Sequence, residues 1–244
     1  MDLSIYQDKH VCVKDIYGET RTGVADCYPA SYCMHEYGVD EDGIIIEDYL
    51  IYESQIASIR EIEVHGSAEL RTESLVLRRY RPEDADDLYK YLGSDPAMYQ
   101  YSGWNPYATP EMAKETVQRF IDSYRDEHFY GWIIDADDVL LGTIGAYDYR
   151  DGRIETGFSI KRVCWGRGYA AAALKKVLWY LTENEGIACV TAWCAAENIG
   201  SRKVLEKAGM QLVRTEKGGL TVGDRIYDKL FFEYRAESER TTDK

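Results

Sequence analysis

Residues 165–170 read Trp165-Gly166-Arg167-Gly168-Tyr169-Ala170, and the residues that follow are rich in alanine and leucine at helical spacing. The two glycines free the backbone for a tight turn before a helix, which the spacing predicts over 168–183. The first turn of a helix carries backbone N–H groups without intrahelical acceptors, together with the positive end of the helix dipole. The turn can therefore bind a pyrophosphate. The alternative is an ordinary strand-to-helix turn, in which the glycines are present only because a side chain would not fit.

The elements on either side of this turn predict a mixed α/β domain. Turns at Asp137-Asp138 and Asp151-Gly152 separate strands over 130–135, 139–149 and 153–163, which indicates an antiparallel meander. Upstream, helices are expected from Pro82 and from Pro110, the second capped by Thr109. Downstream, strand and helix alternate, so the fold class is a mostly antiparallel central sheet flanked by helices. These downstream elements are a strand at 188–194, a helix at 201–208 and strands at 211–215 and 225–234.

The first 70 residues have a different pattern and a different charge. Short strands are predicted at 10–16, 22–30, 43–47, 49–52 and 56–64, without a long helix, and a polar linker is predicted at 65–73. So many short strands favour a closed or nearly closed barrel, because an open sheet leaves edges unpaired. Their order is similar to a small Sm-like β-barrel, which we interpret as a regulatory or assembly module.

Charge and composition exclude several classes of protein. The chain has 244 residues and a net charge of −14, and residues 1–70 hold 4 basic and 15 acidic residues, which disfavours nucleic-acid binding. No uncharged run reaches the roughly 18 residues of a membrane span, and the start has no apolar signal region, so a cytoplasmic location is expected. The six cysteines form no C-x-x-C pair, so no metal site is expected. Residues 237–244 are expected to form a frayed polar tail.

A second segment, Asn198-Ile199-Gly200-Ser201-Arg202-Lys203-Val204-Leu205-Glu206-Lys207-Ala208-Gly209, follows the next predicted strand. Together with the turn at 165–170 it resembles the GNAT superfamily of acetyl-CoA-dependent N-acetyltransferases, closest to the RimJ/RimL-like branch. Trp165 stands where the family's loop usually has Gln or Arg, while Gly168 and Ala170 fill its two small positions. The resemblance covers about residues 74–235 and includes three further matches, at 103–106, 143–145 and 155–158. It divides the chain into a barrel at 1–70 and an acetyltransferase domain at 71–236.

The resemblance implies acetyl-CoA as co-substrate and no metal. The backbone of the predicted third strand of the meander would pair with the pantetheine arm, and amides of the turn would bind the pyrophosphate. Asn198 would bond to the pantetheine or hold the loop. Arg167, Arg202 and Lys203 would meet the phosphates or form a solvated basic face. The implied cofactor-binding residues are Phe158, Ser159, Ile160, Val163, Trp165, Gly166, Arg167, Gly168, Tyr169, Ala170, Asn198, Arg202 and Lys203.

The family also implies direct attack of an amine on the thioester in a ternary complex, with a backbone N–H near Ile160 polarising the carbonyl. Ser201 would reprotonate the thiolate or cap a helix, and Glu155 would deprotonate the amine or lie at the surface. Tyr147 and Asp148 on the neighbouring strand are weaker candidates for this base, and Tyr147 is also a candidate substrate residue. Trp104 and Tyr107 would line the acceptor pocket or pack in the core.

The leading hypothesis is an N-acetyltransferase that acts on a primary amine: a protein N-terminus, a polyamine or an aminated small molecule. A non-catalytic acyl-CoA sensor coupled to the barrel is the alternative, because no Tyr follows Asn198 at the usual spacing. A third reading makes the barrel an RNA- or ribosome-contacting module. The sequence leaves a homodimer open and indicates no membrane partner.

Overall fold

The computed structural model describes residues 1–46, 48–63, 65–126 and 128–235. Two sheets organise the chain, one of five strands before residue 62 and one of eight strands after residue 69. Within the described residues, no helix is long and apolar enough to cross a membrane. The predicted tail at 237–244 and the ends of two predicted strands, Glu47 and Val64, lie outside the described residues.

The first sheet is antiparallel, and its central strand changes partner along its length. Strand β2 pairs with β1 through Val24 and with β3 from Ala25 onward, so it connects two halves of the sheet. The strand order is β4-β3-β2-β1-β5. Closure into a barrel stays a prediction. The strands are β1 (His10–Asp15), β2 (Thr20–Tyr28), β3 (Gly43–Ile46), β4 (Tyr49–Tyr52) and β5 (Ile56–Glu61).

Two predictions for this region are wrong. A helix, α1 (Ala30–Tyr37), separates β2 from β3, where we expected turns and a strand that ran on to Ala30. Residues 65–73 are not a solvated linker, because Gly66 and Ser67 are buried and the short strand β6 (Leu70–Arg71) joins the second sheet. The Glu185 carboxylate accepts the backbone N–H groups of residues 65 and 66, which fixes this segment against the rest of the chain.

The second sheet confirms the mixed α/β prediction. Its order is β12-β13-β11-β10-β9-β8-β7-β6, and every pairing is antiparallel except that of β10 with β11. The strands are β7 (Val76–Arg78), β8 (Tyr130–Ala136), β9 (Val139–Arg150), β10 (Arg153–Ile160), β11 (Cys189–Ala195), β12 (Gln211–Val222) and β13 (Arg225–Arg235). Strand β12 runs seven residues beyond its predicted end at 215, as one arm of a long hairpin with β13.

Helices cover both faces of this sheet. On one face, α4 and α5 bury the larger apolar core, which includes Leu174, Leu178 and Leu205. On the other face, α2 and α3 pack over β8 and β9 around Leu88, Val117 and Ile133. Thr109 caps α3 as predicted, with its hydroxyl oxygen accepting the Met112 N–H at 3.1 Å. The helices are α2 (Asp84–Leu88), α3 (Pro110–Ser123), α4 (Tyr169–Trp179) and α5 (Ile199–Ala208), and π-helical turns extend α2 to Gly93 and α4 to Asn184.

The two sheets touch at the turn between β9 and β10. The Tyr149 hydroxyl donates to the Thr22 carbonyl at 2.7 Å and lies 3.0 Å from the Thr22 hydroxyl. A Cβ on Gly186 would lie 2.9 Å from Ile62 and 3.0 Å from Thr22, so the contact is close-packed. The first sheet therefore rests on the end of the second sheet where β10 begins.

Candidate active site

Strands β10 and β11 separate part-way along their length. Their parallel pairing runs from Arg153 opposite Cys189 to Glu155 opposite Thr191 and goes no further among the described residues. Beyond it, β10 stays paired with β9 up to Ile160, and β11 stays paired with β13 up to Ala195. The two strands therefore diverge, and one backbone edge of β10 has no β11 partner from Thr156 onward. The predicted pantetheine residues Phe158, Ser159 and Ile160 lie on this segment.

The turn that leads into α4 is open. Gly166 and Gly168 have φ values of +77° and +86°, and a Cβ on either would meet nothing within 4 Å. The backbone favours glycine at both positions, because other L-residues are strained at positive φ. The first backbone bond of the helix runs from the Ala172 N–H to the Gly168 carbonyl at 3.0 Å. In the described chain, the N–H groups of residues 166–171 have no hydrogen-bond acceptor, so they can bind an anion at the turn.

Trp165 differs from the expectation for a phosphate ligand. Its backbone N–H donates to the Arg162 carbonyl at 3.1 Å, and its indole Nε1 donates to the Ile160 carbonyl at 2.6 Å. The Trp165 amide is thus already engaged, and the available amides begin at Gly166. The indole instead joins the turn to the end of β10, a local contact across five residues that the sequence pattern did not reveal.

The three predicted phosphate-binding cations lie in the turn and in α5. Arg167 and Lys203 are exposed, and Val163 beside the turn is 73% exposed. The Arg202 guanidinium pairs with the Glu206 carboxylate one helical turn away, with Nε 2.8 Å from Oε1. Arg202 therefore already has an anionic partner on its own helix, whereas the positions of Arg167 and Lys203 suit a solvated basic face or a phosphate.

Asn198, and not Ser201, caps α5. The Asn198 Oδ1 accepts the Ser201 N–H at 3.1 Å, so Asn198 holds the start of the helix. The reading of Ser201 as the cap is therefore wrong. Ser201 is half-buried in the first turn of α5, directly after β11, and its hydroxyl remains a candidate proton donor.

Glu155 lies on the face of the sheet opposite α4 and α5. Its Oε1 accepts the Tyr147 hydroxyl at 3.1 Å and the Trp193 indole Nε1 at 2.9 Å. Burial of the phenol and the nearby Glu155 carboxylate raise the pKa of Tyr147, so Tyr147 keeps its proton at neutral pH. We call this surface the open face; its residues are Tyr147, Glu155, Trp193, Lys229 and Phe231.

Trp193 was missed by the sequence reasoning. It lies two residues beyond Thr191, the β11 partner of Glu155, so the twofold period of a strand directs it to the same face. That signal required the register between β10 and β11, which the sequence alone did not provide. Asp148, the weaker candidate base on β9, is exposed and has a φ of +57°. The hydrogen bonds to Glu155 come from Tyr147 and Trp193 and not from Asp148.

The loop at residues 99–107 contacts the hairpin of β12 and β13. A Cβ on Gly103 would lie 3.2 Å from Val222, and the rings of Tyr101 and Tyr227 meet edge to face at 5.4 Å. The loop therefore packs against this hairpin through Gly103 and Tyr101. Trp104 is 64% exposed on this loop, which suits a residue available to an acceptor.

Tyr107 does not line an acceptor pocket. It is 6% exposed within the core under α2 and α3, and its carbonyl oxygen would lie 1.7 Å from a Cβ on Gly93. Burial raises the pKa of Tyr107 to about 12, so its hydroxyl stays neutral in that core. Of the three predicted substrate residues, Trp104 and Tyr147 are exposed, at 64% and 46%, and Tyr107 is buried.

The sequence model of a family described as "Acetyltransferase (GNAT) domain" matches residues 74–211. The chain belongs to the GNAT acetyltransferase family. The match spans the turn into α4, the diverging strands and the start of α5, which are the features described above. Family membership and N-acetyltransferase relatives support an acyltransferase, as expected from the sequence.

Curated relatives cover most of this GNAT domain. "Uncharacterized N-acetyltransferase p20" of Bacillus licheniformis is 31% identical over 146 residues, which are 58% of this chain and 82% of that protein. "Uncharacterized N-acetyltransferase YoaA" of Bacillus subtilis is 29% identical over 146 residues, again 58% of this chain and 82% of that protein. Neither name specifies an acceptor.

Solved structures are similar in fold. A GNAT-family acetyltransferase from Bacillus anthracis has a TM-score of 0.62 at 20% identity, covering 69% of this chain and 98% of its own. RimL, a ribosomal-protein acetyltransferase in complex with coenzyme A, has a TM-score of 0.65 at 15% identity, covering 70% and 99%. Microcin C7 self immunity acetyltransferase MccE, in complex with acetyl-CoA and AMP, has a TM-score of 0.62 at 13% identity. The similarity covers 68% of this chain and 94% of that protein.

Proposed function

We propose that the protein transfers the acetyl group of acetyl-CoA to a primary amine by direct attack in a ternary complex. The acceptor is a protein N-terminus, a polyamine or an aminated small molecule. The observation that carries this proposal is the divergence of β10 from β11 beside an open turn with unpaired amides. RimL and MccE, which share the fold, were solved with coenzyme A and acetyl-CoA respectively, and this supports the choice of co-substrate.

In this proposal the pantetheine arm lies along the free edge of β10 as an added strand. The N–H groups of residues 166–171 bind the pyrophosphate, favoured by the dipole of α4. Arg167 and Lys203 supply positive charge nearby. Arg202 also binds a phosphate if the phosphate displaces the Glu206 carboxylate from its guanidinium. The Asn198 side-chain amide, whose oxygen caps α5, keeps its N–H groups for the pantetheine.

The chemistry needs a neutral amine, a polarised carbonyl and a proton for the departing sulfur. Glu155 accepts the amine proton, directly or through a water; Oε1 already accepts two hydrogen bonds, so Oε2 takes this role. The amine nitrogen bonds to the acetyl carbon, and a backbone N–H near Ile160 stabilises the oxyanion. The C–S bond then breaks, and the Ser201 hydroxyl protonates the thiolate and recovers its proton from solvent.

The region at 1–70 is proposed as a separate Sm-like module attached to the acetyltransferase domain at 71–236. Support comes from the strand order β4-β3-β2-β1-β5, the change of partner along β2 and a separate apolar core around Val11, Val13 and Ile44. Its acidic character favours assembly with a protein over binding to nucleic acid.

Calorimetric titration of acetyl-CoA into the wild type and Gly168→Trp tests the proposed cradle. Gly38→Trp is the matched control, because Gly38 has a φ of +74° and, like Gly168, no atom within 4 Å of a Cβ position. We expect Gly168→Trp to weaken binding at least about tenfold, a loss of about 1.4 kcal/mol, and Gly38→Trp to leave the affinity unchanged. Equal affinity in all three proteins would remove the turn from the proposal.

Thiol release over a panel of primary amines separates catalysis from acyl-CoA sensing. Steady turnover on any amine, with loss of turnover in Glu155→Gln and unchanged acetyl-CoA affinity, supports the enzyme. Tight binding of acetyl-CoA without turnover on any amine would favour the sensor instead.

A further inference from the structure

Lys229 is an unneutralised cation on the open face. Its Nζ lies 4.2 Å from the ring centre of Trp193 and 4.9 Å from that of Phe231. The side chain is half-buried, and among the described residues no carboxylate lies within ion-pair distance of it. The cross-strand neighbour Glu216 pairs with Arg214 instead. Two aromatic rings therefore hold the ammonium group in place without cancelling its charge.

Two other cations near the open face have partners. Arg153 pairs with Glu233 at one end, and Arg214 pairs with Glu216 on β12. Among the described residues, Glu155 receives hydrogen bonds from the neutral Tyr147 and Trp193, and no cation forms an ion pair with it. Glu155 and Lys229 thus present a carboxylate and an ammonium on the same face, neither of them in an ion pair within the described part of the chain.

One indole separates these two charges. The Glu155 carboxylate lies at the N–H of Trp193, 2.9 Å away, while the Lys229 ammonium lies over the ring of the same side chain. The hydrogen bond to Glu155 fixes the orientation of the indole, and both charges lie against this one side chain. A small molecule with a positive and a negative group at complementary positions would contact both charges and cover the aromatic surface between them.

We propose that the acceptor amine carries a carboxylate a few bonds from its nitrogen, and that Lys229 binds this carboxylate while the amine faces Glu155. The inference rests on the proposed acetyl transfer and names the acceptor class. The same chemistry occurs in a free amino acid and in a peptide that begins with Asp or Glu. A charge-assisted hydrogen bond from Lys229 would select such amines over neutral analogues of the same shape.

The experiment compares kcat/KM for matched amines in the wild type and in Lys229→Met, which keeps the unbranched stem over Trp193 but removes the charge. The free amino acid pair is β-alanine and β-alaninamide, and the peptide pair begins with Asp or with Asn. Comparing the ratio within each pair between the two proteins cancels the different basicities of the amines. Lys229→Arg tests recovery of the charge, and Lys217→Met, exposed on β12, is the control.

We expect the wild type to prefer the carboxylate member of one pair by about tenfold or more, and Lys229→Met to lose that preference. Lys229→Arg and Lys217→Met should retain it. The pair that responds identifies the source of the carboxylate. An unchanged ratio in Lys229→Met for both pairs would overturn the inference while leaving acetyl transfer intact.

A binding measurement separates failure of the proposed acetyl transfer from failure of the proposed role of Lys229. Calorimetric affinities of the same amines for the coenzyme A complex of each protein need no turnover. If no amine is acetylated, the proposed function fails, and the affinity ratio between β-alanine and β-alaninamide still decides the role of Lys229. Equal ratios in the wild type and Lys229→Met would then reject that role too.

Discussion

The carboxylate of Glu185 accepts the backbone N–H of Gly66 at 3.1 Å, although 119 residues separate the two in sequence. The same carboxylate accepts the His65 N–H at 3.0 Å and the Tyr130 hydroxyl at 3.0 Å, and Glu185 is only 1% exposed. Burial and the Glu185 charge raise the pKa of Tyr130, so the phenol remains a donor. Glu185 thus fixes the segment that joins the two sheets.

We expect Glu185→Ala to lower the free energy of unfolding by about 3 kcal/mol, because it leaves two buried donors, the Gly66 N–H and the Tyr130 hydroxyl, and the partly buried His65 N–H without an acceptor. Glu183→Ala, exposed on the same π-helical turn, should change it by no more than about 0.5 kcal/mol. Urea denaturation of both variants measures the difference. Similar stability in the two variants would mean that water replaces the carboxylate and that the joining segment is not held by it.

The neighbouring aromatic residues Trp104 and Tyr107 should separate acceptor binding from packing. Tyr107→Ala removes a core side chain and should cost about 3 to 5 kcal/mol of stability. Trp104→Ala, at an exposed position, should change stability by no more than about 0.5 kcal/mol but raise KM for the acceptor. Thermal unfolding and steady-state kinetics test the two effects. An unchanged KM in Trp104→Ala would exclude this side chain from the acceptor pocket.

Local signals in the sequence predicted most of the acetyltransferase fold. Thr109 and Pro110 marked the start of α3, and Asp151-Gly152 marked the turn from β9 to β10, because caps and turns act through neighbouring residues. Helix α1 was missed because its tyrosines also suit strands. Pro29 at its N-cap and Gly38 at its C-cap were signals that could have revealed it.

The site was predictable where it depends on backbone and not where it depends on register. Gly166 and Gly168 are required by the turn itself, so the sequence identified the turn correctly, while its binding role stays a prediction. The contact of Trp193 with Glu155 joins two strands and residues 38 apart in sequence. Such a contact follows from strand pairing, which short-range patterns do not encode.

Gly142 tests whether the spacing of β9 and β10 matters for acetyl-CoA. A Cβ at this position would lie 2.0 Å from the Ser159 carbonyl oxygen, which is backbone and cannot swing aside. Gly142→Ala should therefore displace β10 beside Ile160, lower stability by more than about 1 kcal/mol and weaken acetyl-CoA binding. Calorimetry and urea denaturation measure both effects. Wild-type affinity in a destabilised variant would show that the edge of β10 tolerates displacement and would count against its proposed pairing with pantetheine.

Glu233 should make part of the stability depend on pH. Burial opposes ionisation of its carboxyl, but the hydrogen bond and charge of Arg153, with help from Arg235, outweigh burial and hold the pKa below its ordinary value of 4.5. A carboxyl whose pKa is lowered on folding contributes stability that is fully present above the unfolded value. That contribution is lost as the pH falls through the lower, folded value.

The stability difference between the wild type and Glu233→Gln should accordingly be larger at pH 7 than at acidic pH, and should shrink steadily below the ordinary pKa of 4.5. Urea denaturation over this range measures it. Arg153→Met removes the principal partner and should reduce the same pH dependence, because the carboxyl then titrates nearer its ordinary value. A constant difference at every pH would indicate that Glu233 stabilises the fold through packing and not through its charge.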